Sequence, residues 1–333
     1  MSTFLASLRG EKVNRFPVWL MRQAGRYMKA YRRLRSKVNT FLEFCSNVDL
    51  AVEVTLLPER ILGIDALILF SDILVPLLPL GVKVEFKPKP FLKSPPIEEL
   101  KEFDQAKVDF VFETIRKVKE KSELPLIGFA GAPFTLGAYI VEGQTSREFL
   151  NIRKLYHSDR EKFNLLMEKL TEMTEEYLSA QISAGVDAVQ LFDSWAFVLS
   201  PSAFKEYFNH LRRLMESLKR KHPEVPIIYF FRGSGHLFET AKDLPADALS
   251  VDWTIDIEKP LKVLSTKALQ GNLDPALLYA DREVIEREVT NFLQKVVNYR
   301  KTLFVFNLGH GLSPDMEEEK VKFLVEVVKR FKL

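Results

Sequence analysis

Eight times along this chain a short apolar run is followed by a longer stretch of helical character, and no other feature limits the possible folds so sharply. The runs fall at residues 17–22, 66–70, 125–130, 188–192, 226–231, 248–252, 268–272 and 302–308. Each is rich in Val, Ile, Leu or Phe and hardly alternates, which predicts strands buried on both faces. The clearest helical patterns lie at 41–62, 101–121, 160–183, 201–221, 282–299 and 317–332, with shorter ones after the fifth and sixth runs. Eight strand-then-helix units predict an α/β fold, a (β/α)8 TIM barrel, rather than an open doubly wound sheet. The open sheet would usually show a Gly-rich turn after its first strand. Here that strand leads into MRQAGR, with neither GxGxxG nor GxxxxGK[ST].

With 333 residues, 47% of them hydrophobic, the chain has ample material for one large core. No composition shift or long Ser/Gly/Pro linker divides it, so residues 1–333 read as a single barrel domain. The Pro-rich segment 87–96 reads as a loop before a helix. Lys and Arg (48) nearly balance Asp and Glu (45) and are interspersed with them, which argues against nucleic acid or an anionic membrane as partner. The single cysteine, Cys45, excludes an intramolecular disulfide and is expected to pack in the core. No apolar run reaches the roughly 18 residues of a membrane helix, and residues 1–12 are too short and polar for a secretory signal, so a cytoplasmic location is expected.

In such barrels the chemistry stands where strands end. After the first strand come Arg22 and Arg26, with Arg32, Arg33 and Arg35 beyond. These arginines would otherwise form a solvated helix face, but Arg22 closes an apolar strand and Gly25 interrupts the segment, which places guanidinium groups at the mouth. Guanidinium groups bind carboxylates bidentately, so a polycarboxylate ligand follows. Asp72 stands directly behind the second strand, either as a helix cap or as a carboxylate facing the mouth. The third strand leads into GAPFTLGAYIVEG, read as a long loop carrying Tyr139; the fourth leads into LFDSWAF, with Asp193 and Ser194 at the rim. Without GxSxG or a paired His, Ser194 is a hydrogen-bonding residue rather than a nucleophile. After the eighth strand His310 lies between two glycines, whereas His157 and His210 lie in helical patterns and His222 and His236 in connecting segments. With no HxxEH, HExxH or CxxC, no metal site is expected.

The strings PVWLMRQAGRYMKAYR, FSDILV, GAPFTLGAYIVEG, LFDSW, LSVDWT, QGNLDP and NLGHGLSP closely resemble, in the same order, the motifs of the uroporphyrinogen decarboxylase family. The likeness spans residues 12 to about 314. It implies a homodimer of distorted (β/α)8 barrels, each with its cleft at the C-terminal ends of the strands. It also implies a carboxy-lyase that removes the four acetate carboxyls of uroporphyrinogen III to give coproporphyrinogen III in haem biosynthesis, with no cofactor. Substrate-binding positions would be Arg22, Arg26, Arg35, Asp72, Tyr139, Phe192, Ser194 and His310, with Asp72, Arg22, Tyr139 and His310 serving catalysis. The proton donor stays open between Arg22, His310 and a bound water. The chain departs from related sequences at Phe197, commonly Gly, and at Lys29–Ala30, frequently Pro–Glu. The rival readings are a zinc-dependent thiol or corrinoid methyltransferase of the same superfamily, for which a second Cys is lacking, and a non-catalytic tetrapyrrole-binding protein.

Overall fold

Parallel strands that are buried on both faces can pair only with each other, and the unalternating runs do so here. The computed structural model describes residues 2–86 and 89–333. In chain order the elements are α1 (Thr3–Leu8), α2 (Lys29–Arg35), α3 (Phe41–Ser46), α4 (Val48–Leu62), β1 (Leu67–Ile68), β2 (Lys83–Phe86), β3 (Pro90–Lys93) and α5 (Asp109–Lys119). Then come β4 (Leu126–Gly131), α6 (Pro133–Glu142), α7 (Leu150–Ser158), α8 (Arg160–Ala184), β5 (Ala188–Asp193), α9 (Pro201–Lys221), β6 (Ile227–Phe231) and α10 (Ser234–Ala241). The chain ends with β7 (Ala248–Val251), α11 (Glu258–Val263), β8 (Ala268–Leu273), α12 (Arg282–Val297), β9 (Phe304–Leu308) and α13 (Glu318–Arg330). The strands β1-β4-β5-β6-β7-β8-β9 form one parallel sheet in that order, and β2 with β3 forms a separate hairpin.

The eighth stave is the run at 17–22, which is a strand only in outline. It makes a single parallel bridge, Val18 to Phe306, supported by Phe306 N–H to the Pro17 carbonyl at 2.9 Å. Pro17 has no N–H to give, Trp19 N–H donates to the Phe306 carbonyl at 3.4 Å, and the other amides up to Met21 are taken by side chains. Val18 N–H donates to Asp65 at 2.8 Å, Leu20 N–H to Gln23 at 3.1 Å, and Met21 N–H to Asn307 at 3.0 Å. Gln23 in turn donates to the Ala66 carbonyl at 3.1 Å, and Asp65 N–H donates to the Val18 carbonyl at 2.8 Å. The seam between the first and second staves is therefore closed largely by side chains. Asp65, 10% exposed, also takes both ends of the Arg15 guanidinium at 2.6 and 2.7 Å.

Alternate residues of the staves fill the interior. Trp19, Met21, Ala66, Ile127, Ala188, Ile228, Phe230, Ala248, Ala268 and Val305 form a cluster of their own, joined by Phe4 and Leu8 of α1. Helix α1 thus closes the N-terminal end, where Ser7 Oγ donates to the Phe304 carbonyl at 2.7 Å. Above this apolar layer, Gln270 Oε1 accepts from Trp19 Nε1, and Gln270 Nε2 donates to Gln190 and to Ser250, all at 2.9 Å. These bonds satisfy polar groups that would otherwise be costly to bury. The opposite residues of each stave face the helices and join the larger core.

Several local expectations differ from the structure. The pattern at 41–62 is two helices, because Asn47 ends α3 and its side chain caps α4 through Leu50 N–H. The regular helix expected over 101–121 starts only at Asp109. The segment read as a loop after the third strand is α6, which starts with Pro133 in its first turn and is buried on every side through Ile140. A helix with no polar face has no amphipathic period to detect. Within the Pro-rich segment, Pro90–Lys93 is a strand rather than loop, while Lys87 and Pro88 lie outside the described residues. His236 lies in the first turn of α10 rather than in a connection. Cys45 is buried, as expected.

Removing the Asp65 carboxylate strands a partly buried guanidinium and an amide of the closing stave. Asp65→Ala is expected to lower stability by about 3–5 kcal/mol, read from the urea midpoint; an unchanged midpoint would show that the seam closes without it.

Candidate active site

Most βα junctions at the open end contribute a side chain. Arg22 ends the first stave at φ 60°, a left-handed conformation that costs a non-glycine residue on the order of 1–3 kcal/mol. The strain turns the chain sharply out of the stave and exposes the guanidinium. From the other side Gly311 packs against this arginine so closely that a Cβ there would stand 2.4 Å from Arg22 Cδ. Glycine is needed at 311 for that approach. Arg26 is exposed in the same loop. Arg35, at the end of α2, is half-buried and donates to the Val38 and Asn39 carbonyls at 2.7 and 3.3 Å, so part of its donor set is engaged in holding the turn.

Asp72 acts as a local cap. Its Oδ1 accepts the Leu74 N–H at 2.9 Å at the turn after the second stave. Burial raises its pKa, while the Leu74 N–H and the nearby Arg22 pull it back down. Tyr139, carried on α6, is pushed up to about 12, chiefly by burial and then by Asp72, with Arg22 acting in the other direction. Its ring lies 5.9 Å from Trp195. Ser71 Oγ and Trp195 Nε1, both buried, make no hydrogen bond of good geometry among the described residues, although they face the hydroxyls of Tyr177 and Tyr139 respectively. His310 packs edge-on to Phe230 at 6.2 Å and Trp253 at 6.5 Å. Burial, then Arg22 and Arg232, lower its pKa to about 4, so the imidazole is neutral at pH 7. Arg22 thus acts on Asp72, Tyr139 and His310, and Asp72 on Tyr139.

The fourth strand end shows how strand parity sorts residues. Phe192 faces the interior, 5.6 Å from Phe129 and 5.8 Å from Phe230. Asp193 therefore points the opposite way and is fully buried behind the sheet rather than at the rim. There it accepts from Thr135 at 2.7 Å and Tyr229 at 2.8 Å, and burial raises it to about 6. Thr135 Oγ also accepts the Trp195 N–H at 3.1 Å, so Asp193 ties the loop bearing Ser194 to the helix bearing Tyr139. Ser194 itself is half-buried and its hydroxyl makes no hydrogen bond among the described residues.

Three mouth residues escaped the sequence reading. Arg232 follows β6, and Asp252 and Trp253 follow β7. Asp252 is fully buried and accepts from Gly233 N–H at 2.7 Å, Ser234 N–H at 3.2 Å and Thr254 Oγ at 2.6 Å. Trp253 is 40% exposed. The same rule that singled out Asp72, a charged residue directly behind an apolar run, applies to both FFRG and LSVDW. Among the described residues no group of three or more His, Cys, Asp or Glu could hold a metal ion.

A barrel with arginines, one half-buried carboxyl and a neutral imidazole around a single mouth belongs to the class of TIM-barrel enzymes acting on anionic organic substrates. The uroporphyrinogen decarboxylase family model matches residues 1–331. Similar curated proteins include the uroporphyrinogen decarboxylase of Aquifex aeolicus (strain VF5), 52% identical over 99% of this chain and 98% of the relative. That of Hydrogenobaculum sp. (strain Y04AAS1) is 46% identical over 98% and 95%. This chain belongs to the uroporphyrinogen decarboxylase family, and so to the carboxy-lyases. Its fold is also that of a methyltransferase from Methanosarcina mazei, with a TM-score of 0.83 and 21% identity over 99% of each chain.

Two outcomes test this geometry. Gly311→Ala should push Arg22 aside and lower turnover by about 10²-fold, as misplacement by about an ångström does, with folding retained; wild-type turnover would place Arg22 outside the chemistry. His310 should titrate near 4 by NMR. An unfolded imidazole takes its proton near about 6.5, so the stability that neutral His310 contributes is complete above that pH and is lost as pH falls toward the folded value. His310→Gln should therefore flatten the loss of stability between those two pH values.

Proposed function

We propose that this barrel removes the four acetate carboxyls of uroporphyrinogen III in sequence, yielding coproporphyrinogen III, without a cofactor. The observation that carries the reading is electrostatic: Arg22 acts on Asp72, Tyr139 and His310 at one mouth, inside a chain that matches the family from end to end. An electron-rich pyrrole can serve as its own electron sink. Protonation of the ring carbon next to the acetate-bearing carbon makes the ring a cation. Breaking the bond to the carboxylate then sends its electron pair into the ring, and carbon dioxide leaves. A second proton converts the exocyclic methylene to a methyl as the ring carbon gives up the first, so that one net proton is consumed and the pyrrole is restored.

In this scheme Asp72 binds the pyrrole N–H groups and stabilises the ring cation. A carboxyl that burial has raised gains strongly from a cation forming beside it, because the local dielectric is low. Arg22, Arg26 and the remaining donors of Arg35 hold carboxylates, Tyr139 and Ser194 orient the reacting acetate, and Phe192 packs on the macrocycle. His310, neutral at pH 7, is a hydrogen-bonding residue rather than the acid, which leaves the proton to Arg22 or to water ordered by it. The methyltransferase alternative is not favoured, since relatives 42–52% identical carry the decarboxylase name.

The same reading proposes one domain, a homodimer, a cytoplasmic location and a small-molecule rather than nucleic-acid ligand. Among the described residues no helix is long and apolar enough to cross a membrane. Sedimentation and a single unfolding transition test the first two.

Anaerobic incubation with freshly reduced uroporphyrinogen III should give seven-, six-, five- and four-carboxyl products in succession, with or without a chelator; persistence of the eight-carboxyl species alone would reject the reading. Asp72→Asn should lose about 10²–10³-fold in kcat. Its melting temperature at pH 7 should not fall, because the substitution removes a charge that burial disfavours. Retained turnover would remove Asp72 from the mechanism.

A further inference from the structure

Arg232 is a mouth cation whose surroundings hold it in place. In β6, Ile228 and Phe230 face the barrel interior, and Arg232, two residues past Phe230, continues that alternation out to the mouth. Its backbone is gripped on both sides. Arg232 N–H donates to the Asp193 carbonyl at 3.3 Å, and the carboxylate of Asp252 takes the N–H groups of Gly233 and Ser234. Gly233 lies at φ 73°, and a Cβ there would stand 2.4 Å from Phe197 Cβ, so the loop passes tightly over Phe197. The guanidinium consequently sits over the Phe197 ring, 5.1 Å from its centroid.

A cation–π contact occupies the face of a guanidinium and leaves its N–H edge open. The side chain of Arg232 makes no hydrogen bond or ion pair among the described residues. Arg22 belongs to the first stave and Arg232 to the fifth of eight, so the two cations stand on opposite sides of the mouth, and both act on His310. We propose that Arg232, held by the Phe197 ring, is a carboxylate-binding residue that takes a substrate carboxylate across the mouth from Arg22. The spacing suits a ligand with carboxylates on opposite edges, and the assignment rests on the polycarboxylate reading given above.

The test pairs two measurements on the full chain. One is fluorescence titration with oxidised uroporphyrin, which has the same eight carboxylates; the other is steady-state turnover of the reduced substrate. Arg232→Gln should weaken binding and raise KM by about 10- to 100-fold, with kcat within about threefold and a shallower dependence on ionic strength. Arg232→Lys should recover part of the affinity, and Phe197→Leu, which keeps the charge but removes its platform, should fall between. The His310 NMR titration should move up in Arg232→Gln, a check that the mouth is intact. Wild-type affinity and KM in Arg232→Gln, with the parent active, would overturn this assignment while leaving the decarboxylase reading standing. A loss confined to kcat would also overturn it. If the parent binds porphyrin without turning over the reduced form, the decarboxylase reading fails, and the affinity of Arg232→Gln still decides the assignment. A parent that neither binds nor turns over would overturn both. Should Arg232→Gln not fold, Arg232→Lys decides through the same affinity and KM readouts, because it keeps the charge but loses the bidentate edge.

Discussion

The barrel depends on one carboxylate at its seam. Seven staves pair through backbone ladders, and the eighth is held by Asp65, which takes the Val18 amide and the Arg15 guanidinium together. Gln23 and Asn307 complete the join by taking the amides of Leu20 and Met21. Because this stave pairs by backbone only around Val18 and side chains hold the rest, its end is free of strand geometry. Arg22 can adopt a left-handed conformation there, which no residue within a regular ladder could do. The irregularity of the closing stave and the placement of the first mouth cation have the same origin.

Strand parity divides the chemistry into two layers. Residues facing inward at the strand ends, such as Phe192 and Arg232, are turned toward the mouth. Their outward neighbours build the support. Asp193 is the clearest case, buried behind the sheet and bonded to Thr135 and Tyr229. Asp252 lies on the inward side, yet its carboxylate is saturated by the loop that follows Arg232. The two buried acids therefore fix loops, while Asp72, with one oxygen capping Leu74, keeps the other for a ligand.

Much of this was readable from the chain because fully buried parallel strands leave unalternating apolar runs, and α9 keeps the bounds 201–221 that its strong amphipathic period implies. The less readable parts lack such a signature. Helix α6 is apolar all round, the closing stave is held by residues distant in sequence, and the β2–β3 hairpin carries a proline. Among the site residues, Arg22 acts on Asp72, Tyr139 and His310, each of which follows a strand of the barrel. The rim position expected for Asp193 fails because the side-chain alternation of β5 runs on to its last residue and turns that carboxyl behind the sheet. Arg232 and Asp252 stand in equivalent post-strand positions, and nothing in composition set them apart until the loop contacts were known.

Helix α1 gives the barrel a floor. With Phe4 and Leu8 packed among the inward side chains and Ser7 bound to the start of β9, the interior is a filled core rather than a conduit. A large macrocycle therefore enters and departs through the same aperture, and successive side chains reach the reacting groups only if the ring turns at that threshold or lets go and docks again. Traffic at one doorway, rather than flow through a pore, is the transport problem this architecture sets.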